Sequence, residues 1–264
     1  VAERGARARE NFALRESERW QPPPFRPPRS AWDRLVAAAR RVLDLQAASI
    51  WRDLKIELAD AHGDVLDVGA GAQPYRPLLP RGARYRAIDV AIAGEAFGYE
   101  LPDTEYFEGD RWPVDDASVD LVLATETLEH VPEPLAFLVE ARRVLRPGGR
   151  IVLTVPFAAR WHYIPHDYWR YTPSSLSVLL KEAGFDSIVV RARGDELTVA
   201  CYKLLALALP ALFPSRGGLR ASRIAAILAL PMMVAVALVA HLSIRRGGLD
   251  CLGWTATASA ATAV

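Results

Sequence analysis

The run Val65-Leu66-Asp67-Val68-Gly69-Ala70-Gly71-Ala72 constrains this chain more than any other stretch. An apolar strand passes straight into a turn bearing two glycines, and a glycine lets the backbone approach a ligand closely because no Cβ stands in the way. In open α/β sheets ligands sit in the crevice beyond the carboxyl ends of the strands, where this turn falls. Further short apolar runs follow at Tyr85 to Ile88, Tyr106 to Phe107, Val119 to Ala124 and Ile151 to Val155, separated by helical or loop stretches. Strands alternating with helices predict a doubly wound α/β fold with a mostly parallel sheet covered on both faces. Ser187 to Val190 and Leu252 to Ser259 read as the sixth and seventh strands.

Helix signals fall between these runs. Ser30 and Asp33 form a capping-box pattern ahead of Trp32, Leu35, Val36, Ala39, Val42 and Leu43 at helical spacing. Leu135, Leu138, Ala141 and Leu145 make a second apolar stripe, which Pro147, Gly148 and Gly149 are expected to stop as turn residues. A third helix opens with Thr172 as cap and Pro173 at its first position, and ends at Gly184. The organisation read from this is a mobile Arg/Pro-rich arm over 1–29, a core over 30–200, an apolar helical insert over 201–246 and a final core strand within 247–264.

With 32 basic against 31 acidic side chains, no global field steers the chain onto nucleic acid. Cys201 and Cys251 have neither metal spacing nor a disulfide framework, so a reducing cytoplasm is the expected setting. The candidate cofactor set is Asp67, Gly69, Ala70, Gly71, Asp89, Val90, Asp110, Arg111 and Thr125. Asp89 ends the second strand about twenty residues past the glycines, where a carboxylate can take both hydroxyls of a ribose. Asp110 follows the third strand, and Trp112 just after it offers a flat apolar surface for an adenine ring. A dinucleotide fingerprint wants a third glycine where Pro74 stands, and proline is wrong for a helix start cradling a pyrophosphate. Asp67 would repel such a diphosphate but could hold an ammonium group.

These pieces resemble the class I S-adenosylmethionine (SAM)-dependent methyltransferases, within the group called methyltransferase type 11. The matching residues are Asp67-Val68-Gly69-Ala70-Gly71, Asp89, Glu108-Gly109-Asp110, Asp120-Leu121-Val122-Leu123, Leu128-Glu129-His130-Val131 and Leu145-Arg146-Pro147-Gly148-Gly149. The resemblance implies a seven-stranded sheet with SAM across the ends of the first two strands, Asp89 on its ribose and Asp110 beside its adenine. It also places the loop after the fourth strand near the methionine portion. Gln73 departs from the pattern, since many members have a third glycine there, and Tyr75 next to it is expected to close part of the pocket.

Methyl transfer to a hydroxyl needs alignment and usually a base. The candidates are Glu126, Glu129 and His130 after the fourth strand, and His162, His166, Asp167 and Tyr168 after the fifth, with His130 and His166 foremost. For His130, acid/base work and support of the following helix both stand open. The aromatic run Trp161 to Tyr171 suits an acceptor that stacks a ring, and its His-Asp-Tyr-Trp-Arg-Tyr piece resembles methyltransferases of surface-glycan and lipid-linked glycan synthesis. His162, His166 and Asp167 lack supporting metal ligands, and no metal is expected. Two apolar blocks, Leu204 to Phe213 and Ile224 to Ala240, suit a hairpin or interfacial helix touching the cytoplasmic face of a membrane across 204–244, or else a lid or dimer interface. The acceptor expected is a small molecule, a glycan or a lipid-linked sugar. Rival readings are a membrane-associated protein of this fold without turnover and a nicotinamide-dependent oxidoreductase.

Overall fold

The computed structural model describes residues 30–94, 100–212 and 220–261, so the arm expected over 1–29 lies outside the described residues. Seven strands form one sheet in the order β3-β2-β1-β4-β5-β7-β6. They are β1 (Asp64–Val68), β2 (Arg84–Val90), β3 (Thr104–Phe107), β4 (Val119–Thr125), β5 (Leu145–Pro156), β6 (Phe185–Arg193) and β7 (Gly253–Ala260). The first five pair in parallel, and β7 runs antiparallel between β5 and β6. The chain winds outward from β1 to β3 and then crosses back to β4, so the order reverses between β1 and β4. At such a switch point the connections leave in opposite directions and a crevice opens.

Among the described residues the α-helices are α1 (Ala31–Leu43), α2 (Leu45–Glu57), α3 (Pro134–Val144), α4 (Pro173–Glu182), α5 (Glu196–Leu212) and α6 (Arg220–Ser243). Ser30 caps α1 as its spacing predicts: Asp33 N donates to Ser30 Oγ at 3.0 Å, and Ser30 N donates to Asp33 Oδ2 at 2.8 Å. Thr172 caps α4 with Pro173 at the first turn. Successive side chains of a strand point to opposite faces, which divides the core. Val65, Leu121, Leu123 and Val152 pack under Ile50 and Leu54 of α2 and Leu58 at its C-cap. Leu66, Val68, Val122, Ala124, Ile151 and Leu153 meet Leu138 and Ala141 of α3 and Leu176 and Leu180 of α4 on the other face. Truncating one of these, such as Leu138, to alanine costs about 2–5 kcal/mol in a core of this kind.

Two elements differ from the sequence reading. The stretch Pro147-Gly148-Gly149 does not separate α3 from a strand starting at Ile151, because β5 begins at Leu145. Buried Leu145 already pairs with Val119, and the register then shifts before Leu121 and Arg150 pair. Pro147 has no N–H for the ladder and Gly148 sits at φ +78°, so the residues expected to make a turn make a bulge inside the strand. Likewise α5 starts at Glu196, well before the apolar block at Leu204, because Asp195 Oδ1 accepts from Thr198 N at 3.0 Å and caps it. α5 and α6 lie between β6 and β7 and share a core of Val199, Leu205, Met233, Ala237 and Ala240 with Leu45 and Leu252. Among the described residues, no helix is long and apolar enough to cross a membrane.

Candidate active site

A cavity of about 430 Å³ opens at the switch point, bounded by the ends of β1, β2 and β3 and by the loop after β4. One end is built largely from backbone. Gly69 has φ +67°, and a Cβ there would stand 2.4 Å from Thr127 Cγ2, so only glycine lets the two loops meet. Gly69 N and Ala70 N both donate to Ile88 O, tying the turn to β2. Gly71 N donates to Asp89 Oδ2 at 2.9 Å and Val90 N to Asp89 Oδ1 at 2.8 Å. These bonds leave each oxygen of Asp89 acceptor capacity on the cavity wall, and burial holds its carboxyl above the usual carboxylate range. Phe107, Trp112 and Phe137 make an apolar wall beside it, Trp112 and Phe137 meeting edge to face at 5.0 Å. The backbone N–H of Trp112 donates to Glu140 Oε1 at 2.7 Å and fixes its place.

The other end is built from side chains. Glu126 holds φ +50°, and its carboxylate accepts from Arg193 Nη2 at 2.7 Å. Arg193 is fully buried and also donates to Val155 O and Ser49 Oγ. Glu129 is fully buried as well, and neither of its carboxylate oxygens meets a hydrogen-bond donor, so desolvation raises it well above the ordinary carboxyl range. His130 Nδ1 lies 2.5 Å from His166 O, which assigns the ring proton to Nδ1 and directs the Nε2 lone pair toward Glu129 Oε1, 3.7 Å away. Burial pushes the His130 imidazole down to about 4, so it is neutral at pH 7. His162 Nδ1 lies 3.0 Å from Arg160 O and from Asp167 Oδ2, two acceptors that place its proton on Nδ1 too. Desolvation opposes ionisation of Asp167, but Arg170, gripping it through two bonds at 2.6 and 2.7 Å, and His162 outweigh it and hold the carboxyl below the usual range.

Of the cofactor set and the two foremost histidines, Gly69, Ala70, Gly71, Asp89, Val90, Asp110, Thr125 and His130 line this cavity. Of the further base candidates, Glu126 and His162 line it and Glu129, Asp167 and Tyr168 do not. Three of the first group stand off it. Asp67 shares the strand parity of Val65, so it faces the α2 side, where Oδ2 accepts from Tyr85 at 2.7 Å; burial raises it to about 7. It supports the floor of the turn and does not form the cavity wall. Arg111 turns outward to Asp116 at 3.4 Å. The His166 ring lies off the wall, and His166 reaches the site through its carbonyl on His130. His162 and Tyr163 do line the wall, and Tyr75 closes part of it while buried against Trp51. Thr127, Phe137 and Arg193 were not picked out in the sequence. Phe137 could have been found from the α3 stripe, but nothing local marks Arg193, whose partners Ser49, Glu126 and Val155 are far away in the chain.

A family model described as a methyltransferase domain matches residues 66–153. The ubiquinone biosynthesis O-methyltransferase of Cereibacter sphaeroides (strain ATCC 17025) is 36% identical over 174 residues, covering 54% of this chain and 68% of that one. A Mycobacterium ulcerans protein named as a phthiotriol/phenolphthiotriol dimycocerosates methyltransferase is 36% identical over 99 residues, 36% of each chain. Across curated relatives, the chain spans from 19% to 68% of their length. In a Haloferax volcanii complex of a methyltransferase and its activator, one chain superposes with a TM-score of 0.51 at 18% identity, over 86% of this chain and 96% of that one, and so shares the fold. A nicotinamide-dependent oxidoreductase is thereby set aside. Sheet order, glycine turn and relatives agree: the chain belongs to the class I SAM-dependent methyltransferases.

Proposed function

We propose that this methyltransferase O-methylates a hydroxyl of a lipid-linked, glycan or other small-molecule acceptor, with the hydroxyl presented at the histidine end of the cavity. The observation that carries the reading is that one cavity joins the Gly69-Asp89 turn to two histidines whose assigned tautomers present Nε2 lone pairs. Bound SAM supplies an electrophilic methyl group on a sulfonium. Asp89 would hold its ribose hydroxyls, the Gly69 to Gly71 backbone and Thr125 its amino-acid portion, and Val90, Asp110 and the Trp112-Phe137 wall its adenine. Neutral His130 accepts a hydrogen bond from the acceptor hydroxyl and aligns the oxygen, while Tyr75 and Tyr163 keep water from the path.

Two relatives support an acceptor of this type, since one is named for ubiquinone biosynthesis and the other for a phthiotriol lipid. A lipid-like acceptor also agrees with the exposed Leu204, Leu207, Leu228, Met232, Leu238 and Leu242 on α5 and α6, which would rest on a membrane surface. The test is transfer of radiolabelled methyl from SAM into chloroform-soluble material of a bacterial lipid extract, with soluble glycans in parallel. Label appearing as a base-stable ether supports the reading. Label in neither fraction, from protein that binds SAM by calorimetry, overturns the acceptor assignment.

A further inference from the structure

We propose that Gln73 is a positioning residue for the cofactor: its side chain clamps the glycine turn to β3 and sets the stretch of wall that meets the amino-acid portion of SAM. The inference rests on the cofactor placement given above, in which the Gly69 to Gly71 backbone takes that portion.

Gln73 stands where many methyltransferases of this group have glycine, and it keeps the backbone that glycine favours, with φ +52°. An L-residue takes this left-handed conformation at a cost that glycine does not meet, so the side chain must contribute something in return. It is 6% exposed, and both ends of its amide are engaged. Nε2 donates to Asp103 Oδ1 at 3.1 Å and to Thr104 Oγ1 at 3.0 Å, while Oε1 accepts from Arg76 Nη1 at 2.9 Å. Because a guanidinium only donates and a carboxylate only accepts, these partners fix which way the amide points. Arg76 also pairs with Asp103 and lies over the Tyr85 ring at 4.9 Å, and Tyr85 in turn donates to Asp67 beneath the turn.

Of residues 69–75, all line the cavity except Gln73. Its N–H donates to Ala70 O at 2.8 Å and closes the turn, and its side chain leaves away from the cavity, toward the start of β3. Gly71 N is held by Asp89 at the end of β2, so the turn is pinned to two strands at once. Pro74 and Tyr75 follow directly and carry the cavity wall onward. A wall fixed before the ligand arrives loses less freedom on binding, which raises affinity without any contact from Gln73 itself. The nucleoside end does not depend on this clamp. Asp89 is held by the amides of Gly71 and Val90, and Trp112 by Glu140.

The test is calorimetric titration of the full chain with S-adenosylhomocysteine and, in parallel, with 5′-methylthioadenosine, which keeps the nucleoside and thioether and lacks the amino-acid portion. Gln73→Gly relieves the backbone and removes the clamp. It should weaken S-adenosylhomocysteine roughly 3- to 10-fold, the scale of one neutral hydrogen bond, and methylthioadenosine by less than about twofold. Gln73→Asn tolerates the same φ but is one methylene shorter, and it should lose as much as the glycine variant. Thr104→Val, off the cavity wall, removes one acceptor of the clamp. It should weaken S-adenosylhomocysteine in the same direction and add nothing in the Gln73→Gly background. Unchanged S-adenosylhomocysteine affinity in folded Gln73→Gly overturns the clamp. Equal losses for the two ligands overturn it as well, since Gln73 would then support the fold of the whole site. Full affinity in Gln73→Asn would assign the effect to backbone conformation and overturn it too. Wild type that binds neither ligand strikes the cofactor placement, and the clamp with it, whereas the other outcomes leave that placement standing.

Discussion

The two ends of the cavity are made by different means. At the Gly69-Asp89 end the contacts come from adjoining backbone: two left-handed glycines, amides of residues 69–71 and 90, and one carboxylate that accepts from two of them. At the Glu129-His162 end they come from side chains on two loops, with Arg193 of β6 reaching across to brace Glu126. The first end depends on local conformation and the second on long-range convergence. Substitutions should therefore act on binding and the local turn at one end and on the wider fold and chemistry together at the other.

The largest expected effect of a lost contact falls on the brace. Arg193→Met leaves Glu126 without its guanidinium and Val155 O without its donor, and breaking such an ion pair with one fully buried partner should cost about 3 kcal/mol in urea unfolding. A loss below about 1 kcal/mol would mean that water or Ser49 takes over, and the second end would then be less dependent on convergence. Asp89→Ala should act on the first end alone. Hydrogen bonds to a charged group are worth about 1.5–3 kcal/mol, so calorimetry should find SAM binding weakened roughly 10- to 150-fold, alongside a loss of about 1–3 kcal/mol in unfolding as the amides of Gly71 and Val90 lose their acceptor. Unchanged SAM affinity in folded Asp89→Ala would sink the assigned ribose contact.

This contrast also explains what the sequence disclosed. The turn was legible because backbone shape leaves local marks: glycines after an apolar strand, and a carboxylate ending the next one. Ser30 and Thr172 were legible for the same reason, as each cap meets its partner three residues on. The loop end showed residue types without partners. Nothing near Glu129 in the chain announces that both its oxygens are buried without donors, and nothing near His166 shows that its carbonyl serves His130 while its ring lies off the wall. Asp67 was assigned to the ligand because strand-end carboxylates near glycines attract that reading, but alternation along β1 turns it to Tyr85.

Asp67 supplies the next test, through pH. Burial raises its folded pKa from the ordinary 3.8 to about 7, with Asp89 adding repulsion and Tyr85 opposing it. The folded state thus holds the proton more tightly than the unfolded chain. Its contribution is fully present below about pH 4 and is lost as pH rises through 7. Asp67→Asn keeps an acceptor for Tyr85 and removes the titration, so the decline of unfolding free energy between pH 4 and 7 should flatten, by about 4 kcal/mol. An unchanged decline would mean that Asp67 stays ionised in the fold, which would restore it as a candidate partner for an ammonium group.

The smallest expected effect discriminates most sharply between backbone and side chain at the loop end. His166 places its carbonyl 2.5 Å from His130 Nδ1, and its N–H donates to Tyr163 O at 2.8 Å. Both contacts survive replacement of the ring. The ring lies off the cavity wall, and one of its contacts, with Tyr168 Oη, spans 3.5 Å, at the weak limit for a hydrogen bond. His166→Ala should therefore change kcat/KM by less than about twofold, within the ±0.5 kcal/mol typical of changes away from special features. A parallel His130→Ala variant sets the scale, because it removes the ring that faces both the cavity and Glu129. Equal losses in the two variants would show that the His166 ring enters the chemistry, and the loop end would then draw on one more converging side chain than its geometry displays.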